Sequence, residues 1–530
     1  MDSKEKKRLL LSNLFHHLDG IVLIPTILEL EKKQILNHIL NNGKSKLSDL
    51  SNRFSANEGY LNVALRLLCS QNILEQEHVN EDIIFKDIKL QKWMSLNIAN
   101  KYKITAPLYA NEINYSNICD DTDSDKINNS ILAKTISNYI HNTEQNKLIF
   151  KNVDFDFNWQ KHIEGIIVAP ILVCLARKKM FTNVEIGHEL NLNIHNEWSK
   201  ILMNLFYHVG IIDVKNNISE YGNFLLKRVT SYGVTVSYLP TLKNISHLLY
   251  GDNSNRWENN STEETHVDRS MNVWGSGGAH HTYFKKVDQI IIDLFNLPIE
   301  HQPKGFIDIG CGNGKLIEHI FDLIYYKTKR GKYLESNPLF IVGSDFNYKA
   351  LEATNETINK ADIWAKTAFG DISDPDSLAK KLKEKHDIQL SDLLNVRSFL
   401  DHNRIYTAPK KNYNKISNST GSFCYQGIRI KNKDLEQNLK EHFAKWAPYL
   451  KKYGLLIVEL HTIDPAVSAK NIGKNAITAY DATHGFSDQY IIEYELFLKI
   501  ALETGLKPDP QHEYTFPSRD IPIVSINRLL

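Results

Sequence analysis

A glycine-rich turn stands directly after a short apolar run in the second half of the chain. Residues 305–314 read Gly-Phe-Ile-Asp-Ile-Gly-Cys-Gly-Asn-Gly, so Gly310, Gly312 and Gly314 follow a strand-like stretch that contains Asp308. Glycines let the backbone turn sharply and approach a ligand closely. A dinucleotide site would space its glycines differently, and an acid inside the strand would repel a pyrophosphate. The turn therefore predicts a binding site for a cationic ligand without phosphates.

Two more carboxylates follow at the ends of later apolar runs. Residues 339–345 end in Asp345, and residues 368–371 end in Asp371. Together with Asp308 and the glycine turn, these runs resemble the motifs of class I S-adenosylmethionine-dependent methyltransferases. The resemblance implies S-adenosylmethionine as the cofactor, with Asp345 accepting hydrogen bonds from both ribose hydroxyls and Asp371 near the adenine amine.

Polar side chains also follow the fourth and fifth predicted strands. The fourth ends in Asp401 and His402, and the fifth ends in His461. Because ligands of an open α/β sheet bind beyond the carboxyl ends of its strands, these side chains are expected to converge. Imidazole, carboxylate and amide oxygen suit iron, manganese or cobalt, with no thiolate to favour zinc. The alternative is that His402 is a metal-free general base and His461 a pocket wall.

Three segments resemble the metal-dependent C-methyltransferase domains of polyketide synthases, of the apratoxin initiating type: 267–281, 397–402 and 483–490. The resemblance implies a mononuclear iron or manganese ion that holds a malonyl-type thioester while its α-carbon is methylated. It gives His461 and Gln489 as the first ligands. Asp401 and His402 compete for the remaining protein position, because neighbours on a strand face opposite ways.

The predicted chemistry needs a base and an anchor for the substrate. His402 and His281 are candidates for removing the α-proton, since the ordinary pKa of histidine, about 6.5, lies near working pH. Arg397 and Arg404 flank the fourth strand end and can pair with a substrate carboxylate. The leading prediction is a C-methyltransferase acting on a small-molecule or carrier-protein-bound acyl substrate. A metal-independent O- or N-methyltransferase with His402 as base is the alternative, and a cofactor-binding regulatory protein is the third hypothesis.

Composition argues against several other classes of protein. The 530 residues contain 63 basic and 62 acidic side chains, so no global field would hold nucleic acid or an anionic membrane. Five scattered cysteines form no Cys-x-x-Cys pair, which argues against a disulfide framework and a zinc knuckle. No run approaches about 18 uninterrupted apolar residues. We therefore expect a cytoplasmic protein with neither nucleic-acid nor membrane partners.

The N-terminal part of the chain contains a duplicated motif. Residues 17–25 and 162–170 agree at His, Gly, Ile and Pro, and each is followed by helically spaced leucines, a Gly or Asn break and a short apolar run. This pattern predicts two winged-helix-like units. Neither copy has a basic recognition stripe, so we expect a methyltransferase lid and not a DNA-binding module. Such lids often pair protomers, which makes a homodimer a further expectation.

Alternating strands and helices from about residue 285 predict an α/β fold, the Rossmann-like seven-stranded sheet of a class I methyltransferase, behind an α-rich N-terminal lid region. The predicted strands are 305–309, 339–344, 366–370, 390–399, 454–461, 511–516 and 522–527. The predicted domains are winged-helix-like unit 1 at 1–110, a connector at 111–152, winged-helix-like unit 2 at 153–250, a linker or lid segment at 251–284 and the methyltransferase domain at 285–530.

Overall fold

The computed structural model describes residues 3–79, 81–149, 157–181, 184–257, 265–411 and 416–530, with the side chains of 144–149 and 278–282 outside the description. The chain divides into two compact units. The first comprises Met1–Ala279, Gln426–Arg429 and Pro465–Ser487, and the second comprises His280–Tyr425, Ile430–Asp464 and Asp488–Leu530. The first unit therefore includes two segments from the second half of the chain, which the sequence did not indicate.

The first unit begins with a long helix, Ser3–Lys32, and continues into a small winged-helix arrangement. Its strands are β1 (Lys44–Lys46), β2 (Leu74–Val79) and β3 (Asp82–Asp87), in the antiparallel order β1-β3-β2. Its helices are Ile35–Asn42, Leu47–Phe54 and Glu58–Ser70. A three-stranded sheet beside short helices is the arrangement that the sequence predicted for the first copy.

The second copy keeps the helices but has little of the sheet. After the helix Trp159–Arg177, it contains Asn196–His208 and Glu220–Leu226. Between residues 184 and 257, the described wing consists of two isolated bridges, Glu189↔Asn217 and Ile212↔Ile218. The other helices of this unit are Leu90–Ser95, Ile98–Tyr102, Ala106–Ala110, Asn117–Asp120, Ser124–Asn129, Ile131–Ile149, Thr230–Ser237, Leu239–Lys243, Ile245–Tyr250, Pro465–Ala469 and Ile477–Gly485.

The duplicated motifs pack directly against each other. A Cβ added to Gly20 would lie 2.3 Å from the backbone of His162, and a Cβ added to Gly165 would lie 2.3 Å from the backbone of His17. Only glycine allows so close an approach of the two helices at both positions. The repeat in the sequence is thus a reciprocal contact in the structure, with each motif's glycine against the other motif's histidine.

These two helices are also long and apolar enough to cross a membrane by length and composition alone. The spans are Lys4–Lys32 and Trp159–Arg177, and the shares of their apolar windows buried inside the protein are 72% and 78%. Buried core helices pass the same test, and these two bury their apolar surfaces against each other.

The second unit is built on a seven-stranded sheet. Its strands are β4 (Gly305–Ile309), β5 (Phe340–Asp345), β6 (Ala365–Phe369), β7 (Leu393–Ser398), β10 (Leu455–Leu460), β11 (Pro508–Ser518) and β12 (Ile521–Leu529), while β8 (Phe423–Tyr425) and β9 (Ile428–Ile430) stand outside it. The order is β11-β12-β10-β7-β4-β5-β6. β12 runs antiparallel to β10 and β11, whereas β4, β5, β6, β7 and β10 run parallel. This confirms the predicted fold class.

Helices cover both faces of the parallel strands, as crossover connections require. They are Lys315–Lys327, Tyr348–Lys360, Pro375–His386, Asn432–Leu450 and Tyr494–Glu503, and Arg269–Phe295 precedes β4. Phe443 and Trp446 on one helix pack into a fully buried cluster with Ile457 of β10. Burying each such side chain contributes about 1.5–3 kcal/mol. The core therefore fixes the strand ends, where the site lies.

One predicted helix begins later than expected. The sequence predicted that the stretch through Tyr490 opens a helix ending at Gly505, but residues 488–493 are irregular and the helix begins at Tyr494. Tyr490 donates its backbone N–H to the carbonyl of His402, at 2.7 Å. The irregular segment is buried, so tertiary hydrogen bonds replace those that a helix would supply.

Candidate active site

The glycine turn has the geometry that its sequence predicts. Gly310, Gly312 and Gly314 all adopt positive φ values, of 77°, 55° and 73°. The N–H groups of Gly310 and Cys311 both donate to the carbonyl of Ser344, at 2.7 and 3.1 Å. A left-handed backbone at three alternate positions strongly favours glycine, so the turn depends on these residues.

Asp345 at the end of β5 closes this turn. Its Oδ2 accepts the N–H of Gly312 at 3.1 Å, and its Oδ1 accepts the N–H of Asn347 at 2.9 Å. The carboxylate is thereby held at the switch point of the sheet, where β4 lies between β5 and β7.

Asp308 lies inside β4 and is buried, with 2% of its surface exposed. Burial, and after it the negative charge of Asp345, raise the pKa of its carboxyl to about 7. Two carboxylates thus lie beside a turn whose shape admits a ligand. A ligand that carries positive charge would offset both the desolvation and the repulsion.

Asp371 lies in the loop after β6 and is exposed. Its Oδ1 accepts the N–H of Ser373 at 2.7 Å, and the preceding Gly370 donates its N–H to the carbonyl of Asp345 at 3.1 Å. The structure therefore brings Asp371 to the same edge of the sheet as Asp345, as the motif order predicts.

His402 and Glu459 form a buried pair at the exits of β7 and β10. The Nδ1 atom of His402 hydrogen bonds to Glu459 Oε1, and the backbone N–H of His402 donates to Glu459 Oε2 at 3.2 Å. The same Oε1 accepts the N–H of Leu460 at 2.7 Å. A carboxylate on Nδ1 fixes the tautomer and the ring orientation, which leaves Nε2 as the nitrogen facing away from Glu459.

Asp401 faces different partners from its neighbour His402. Its Oδ1 accepts from Arg397 Nη1 at 2.7 Å and lies 2.9 Å from His442 Nε2. Although burial opposes ionisation, Arg397 and His442 hold the pKa of Asp401 well below its usual range. The guanidinium of Arg397 also stacks on Trp446, 3.9 Å from the ring centre. Asp401 and Arg397 therefore form a buried ion pair at the end of β7.

Arg404 is committed to the same turn. Its Nη1 donates to the carbonyl of Asp401 at 2.9 Å, and its Nε donates to Asn438 Oδ1 at 2.8 Å. The two arginines that the sequence proposed as substrate anchors thus position the loop that carries His402. Arg397 keeps two buried donors, Nε and Nη2, without a partner among the described residues.

His461 is a core histidine in this structure. Its Nδ1 lies 3.0 Å from the carbonyl of Ile492, and its Nε2 lies 2.7 Å from Ser525 Oγ. Since a carbonyl only accepts, Nδ1 carries the proton and Nε2 accepts from the serine hydroxyl. Burial lowers the pKa of His461 to about 4.

Two of the predicted metal ligands, His461 and Asp401, are engaged with other protein groups in this structure. Among the described residues, Asp401, His402 and His461 do not make a group of ligand atoms within 4.8 Å of one another. Asp401 is in an ion pair, and both nitrogens of His461 are hydrogen bonded. Gln489 is buried next to Tyr490, whose N–H bonds to the His402 carbonyl. Iron or manganese at these four residues stays a prediction from resemblance, and this arrangement does not fit it.

One predicted site residue lies outside the described structure, and one residue of the observed site was not predicted. The side chain of His281, a predicted base, lies outside the described part of the structure. Glu459 was not predicted as a functional residue, although a glutamate near the end of the otherwise apolar run Leu-Leu-Ile-Val-Glu-Leu is a signal. A buried carboxylate is rarely placed in a strand without a partner.

Three family models match the chain along most of its length. Residues 10–76 match the AprA N-terminal domain, residues 164–252 match the AprA winged helix domain, and residues 264–527 match the AprA MT2-like domain. These matches confirm the resemblance that the sequence motifs indicate. No curated protein matches the chain.

Solved structures with similar folds include several methyltransferases. The S-adenosylmethionine-dependent methyltransferase SibL is 13% identical over 63% of this chain and 84% of its own, with a TM-score of 0.33. The pyocyanin biosynthetic protein PhzM is 11% identical over 70% and 98%, with a TM-score of 0.37. The DszA carbon methyltransferase is 10% identical over 62% and 78%, with a TM-score of 0.29. Scores this low support no argument about the chemistry of this chain.

Proposed function

The chain is an S-adenosylmethionine-dependent methyltransferase of the AprA-like family, and from that premise we propose that it methylates the α-carbon of a malonyl-type or β-dicarbonyl acyl substrate in polyketide or other specialised metabolism. The observation that carries the proposal is the buried His402–Glu459 pair at the exits of β7 and β10. It supplies an oriented base near the strand whose turn receives the cofactor.

The cofactor contacts follow from the glycine turn and the three acids. Asp345 would accept the ribose hydroxyls and Asp371 the adenine amine, while Asp308 would face the positively charged part of S-adenosylmethionine. Burial beside Asp345 raises the pKa of Asp308, so the bound cation would restore the ionised carboxylate. The open turn at Gly312, where an added Cβ meets no atom within 4 Å, leaves room for the ligand.

The methyl transfer needs one proton acceptor. His402 Nε2 would take the α-proton, and the resulting enolate carbon would attack the methyl group in line with the departing sulfur. The carbon–methyl bond forms as the methyl–sulfur bond breaks, so the products are the methylated acyl compound, S-adenosylhomocysteine and protonated His402. Glu459 stabilises that imidazolium, as a carboxylate does in other base–acid pairs. Proton transfer of this kind contributes about 10²–10⁴-fold to a rate.

Metal assistance is a separate proposal, which the family resemblance supports and the side-chain arrangement does not. Because His461 is hydrogen bonded at both nitrogens and Asp401 is ion-paired, no step of the mechanism passes through an ion. Full turnover by a His461→Ala variant that remains folded would remove the ligand role for that residue.

A second candidate is methylation of a hydroxyl oxygen on a small molecule. The same His402–Glu459 pair favours it, because an oriented imidazole can deprotonate a hydroxyl as well as an acidic C–H group. Substrate form separates the two candidates. The leading proposal expects transfer to free or carrier-bound malonyl-type thioesters, and the second expects transfer to phenolic acceptors.

The proposal is tested by mass spectrometry with S-adenosylmethionine and a panel of malonyl, β-ketoacyl and phenolic acceptors. Carbon methylation adds one methyl group that survives hydrolysis of the thioester, whereas methylation of a carboxylate oxygen would be lost. His402→Gln should slow transfer by about 10²–10⁴-fold while cofactor affinity is kept. A product only from phenols would support the second candidate, and cofactor binding without any product would favour a regulatory protein.

A further inference from the structure

The first unit contains a histidine and carboxylate cluster that includes none of the residues proposed for methyl transfer. One ligand atom each from His16, Asp19 and His162 lies within 4.8 Å of the others. All three residues are buried, with exposed fractions of 6%, 2% and 3%. Two imidazoles and one carboxylate are a donor set for divalent transition metals.

Each of these residues has a polar atom that lacks a partner. The atoms are His16 Nδ1, Asp19 Oδ1 and His162 Nε2, which make no hydrogen bond within the described part of the chain. A buried polar atom without a hydrogen bond keeps its full desolvation penalty. Three of them in one cluster indicate that something beyond the described side chains satisfies them.

The duplicated motif provides an internal comparison. In the alignment of the two copies, Lys161 stands for His16, His162 for His17 and Glu164 for Asp19. In the second copy, Glu164 binds His17 Nε2 at 3.1 Å through Oε1 and Lys161 Nζ at 2.7 Å through Oε2. In that group the histidine, the carboxylate and the cation satisfy one another's hydrogen bonds and charges.

The first copy lacks both the longer carboxylate side chain and the cation of the second copy. Asp19 is one methylene shorter than Glu164 and does not hydrogen bond to His162. His16 stands where the second copy has Lys161, so the first copy has an imidazole in place of the ammonium group. A divalent ion would supply the positive charge that Lys161 supplies in the other copy.

The remaining polar atoms of the cluster are held as outer partners of a metal site usually are. His162 Nδ1 lies 2.7 Å from the hydroxyl of Tyr102, and Asp19 Oδ2 accepts from Gln71 at 3.1 Å. Such contacts orient the ligands and choose the tautomer. The atoms of His162 and Asp19 that lack a partner are then the ones that would face the metal.

The helices that carry the cluster are closely packed, and a cavity reaches it. The helices Ser3–Lys32 and Trp159–Arg177 meet at Gly20, where an added Cβ would lie 2.3 Å from His162. Metal–nitrogen and metal–oxygen distances of about 2.0–2.2 Å need the donors to move inward from their present separations, which are at most 4.8 Å. A cavity of about 180 Å³ lined by His16, Gln71 and Asn158, among others, provides an entry path and room for water ligands.

We propose that His16, Asp19 and His162 bind a divalent transition-metal ion, zinc or ferrous iron, that ties the two copies of the motif together. The ion is structural and independent of methyl transfer. Its site differs from the one that the family resemblance implies at His461 and Gln489, because its ligands come from the duplicated N-terminal helices.

The test uses full-length protein freed of metal and titrated with Co²⁺, whose visible absorption reports the ligand set. Wild type should bind one more equivalent of Co²⁺ than Asp19→Asn. The affinity of this site for Co²⁺ should fall more than about 100-fold in the variant, because the loss of an outer partner alone weakens metal binding about 10–100-fold. Co²⁺ should also raise the melting temperature of wild type but not of Asp19→Asn. Asp19→Asn is nearly isosteric and should fold, which circular dichroism checks.

Two further variants complete the design. His188→Gln changes a histidine in the same unit that is 57% exposed, and it should bind Co²⁺ as wild type does. His461→Ala tests the site implied by resemblance and should leave the N-terminal Co²⁺ spectrum intact. Equal Co²⁺ stoichiometry and melting shifts in wild type and Asp19→Asn, or loss of the spectrum only in His461→Ala, would overturn the proposal and make the cluster a water-filled polar pocket.

Discussion

Replacing Asp308 by asparagine should stabilise the protein while it weakens cofactor binding. Asp308 is buried in β4, and burial followed by the charge of Asp345 raises the pKa of its carboxyl from 3.8 to about 7. A folded-state pKa above the unfolded one means that the folded protein binds the proton more tightly. Stability therefore falls as pH rises from the unfolded pKa to the folded pKa, and it is constant above that.

The magnitude follows from the two pKa values. Each pKa unit corresponds to about 1.36 kcal/mol, so the ionised carboxylate destabilises the folded state by about 4 kcal/mol above pH 7 and by about 2 kcal/mol at pH 5.5. The asparagine side chain that replaces Asp308 does not ionise. The free energy of unfolding of Asp308→Asn relative to wild type should consequently rise by about 2 kcal/mol between pH 5.5 and pH 8.

Urea denaturation of the cofactor-free protein at several pH values measures this difference. Asp322→Asn is the matched control, because Asp322 is exposed on the helix Lys315–Lys327 and its replacement should give a difference that is flat with pH. Calorimetry should show S-adenosylmethionine binding weakened roughly 10- to 100-fold in Asp308→Asn, the equivalent of about 1.5–3 kcal/mol for a hydrogen bond to a charged group. A pH-independent difference, or unchanged cofactor affinity, would refute the reasoning.

Two other substitutions test the turn and the ion pair. Gly310→Ala should lose about 1–2 kcal/mol of stability and much of its cofactor affinity, because φ is 77° and the new Cβ would lie 3.0 Å from Leu400. Gly505 has a similar φ of 88°, and an added Cβ would meet no atom within 4 Å. Gly505→Ala should therefore lose stability without losing cofactor affinity. Equal losses of cofactor affinity in the two variants would contradict the assignment of the turn. Arg397→Ala should lower the free energy of unfolding in urea by about 3–5 kcal/mol, because it leaves Asp401 buried and unpaired. Arg519, whose side chain is 71% exposed, is the control, and Arg519→Ala should cost less than about 1 kcal/mol. Equal effects would show that the buried pair contributes little.

Local sequence patterns predicted the parts of the fold that local rules determine. The three glycines of the turn were identifiable because positive φ values favour glycine, and strands β4, β5, β7 and β10 because buried parallel strands read as apolar runs. The duplicated motif was visible for a similar reason, since the contacts of Gly20 with His162 and of Gly165 with His17 constrain both copies.

Contacts between distant residues could not be predicted in the same way. His402 and Glu459 are 57 positions apart, and their pairing depends on β7 lying beside β10. The sequence proposed that Asp401 and His402 compete for one role, but the turn after β7 points them at different partners. The segment 488–493 was expected to start a helix because local patterns do not record the tertiary hydrogen bond from Tyr490 to His402.

The central claim is that His402, oriented by Glu459, accepts the proton during methyl transfer. The direct measurement is the single-turnover rate at saturating S-adenosylmethionine for wild type, His402→Gln and Glu459→Gln, with cofactor affinity measured in parallel. We predict that His402→Gln slows transfer by about 10²–10⁴-fold and that Glu459→Gln also slows it, both with cofactor affinity unchanged. Transfer by His402→Gln at a rate within a few-fold of wild type would contradict the account.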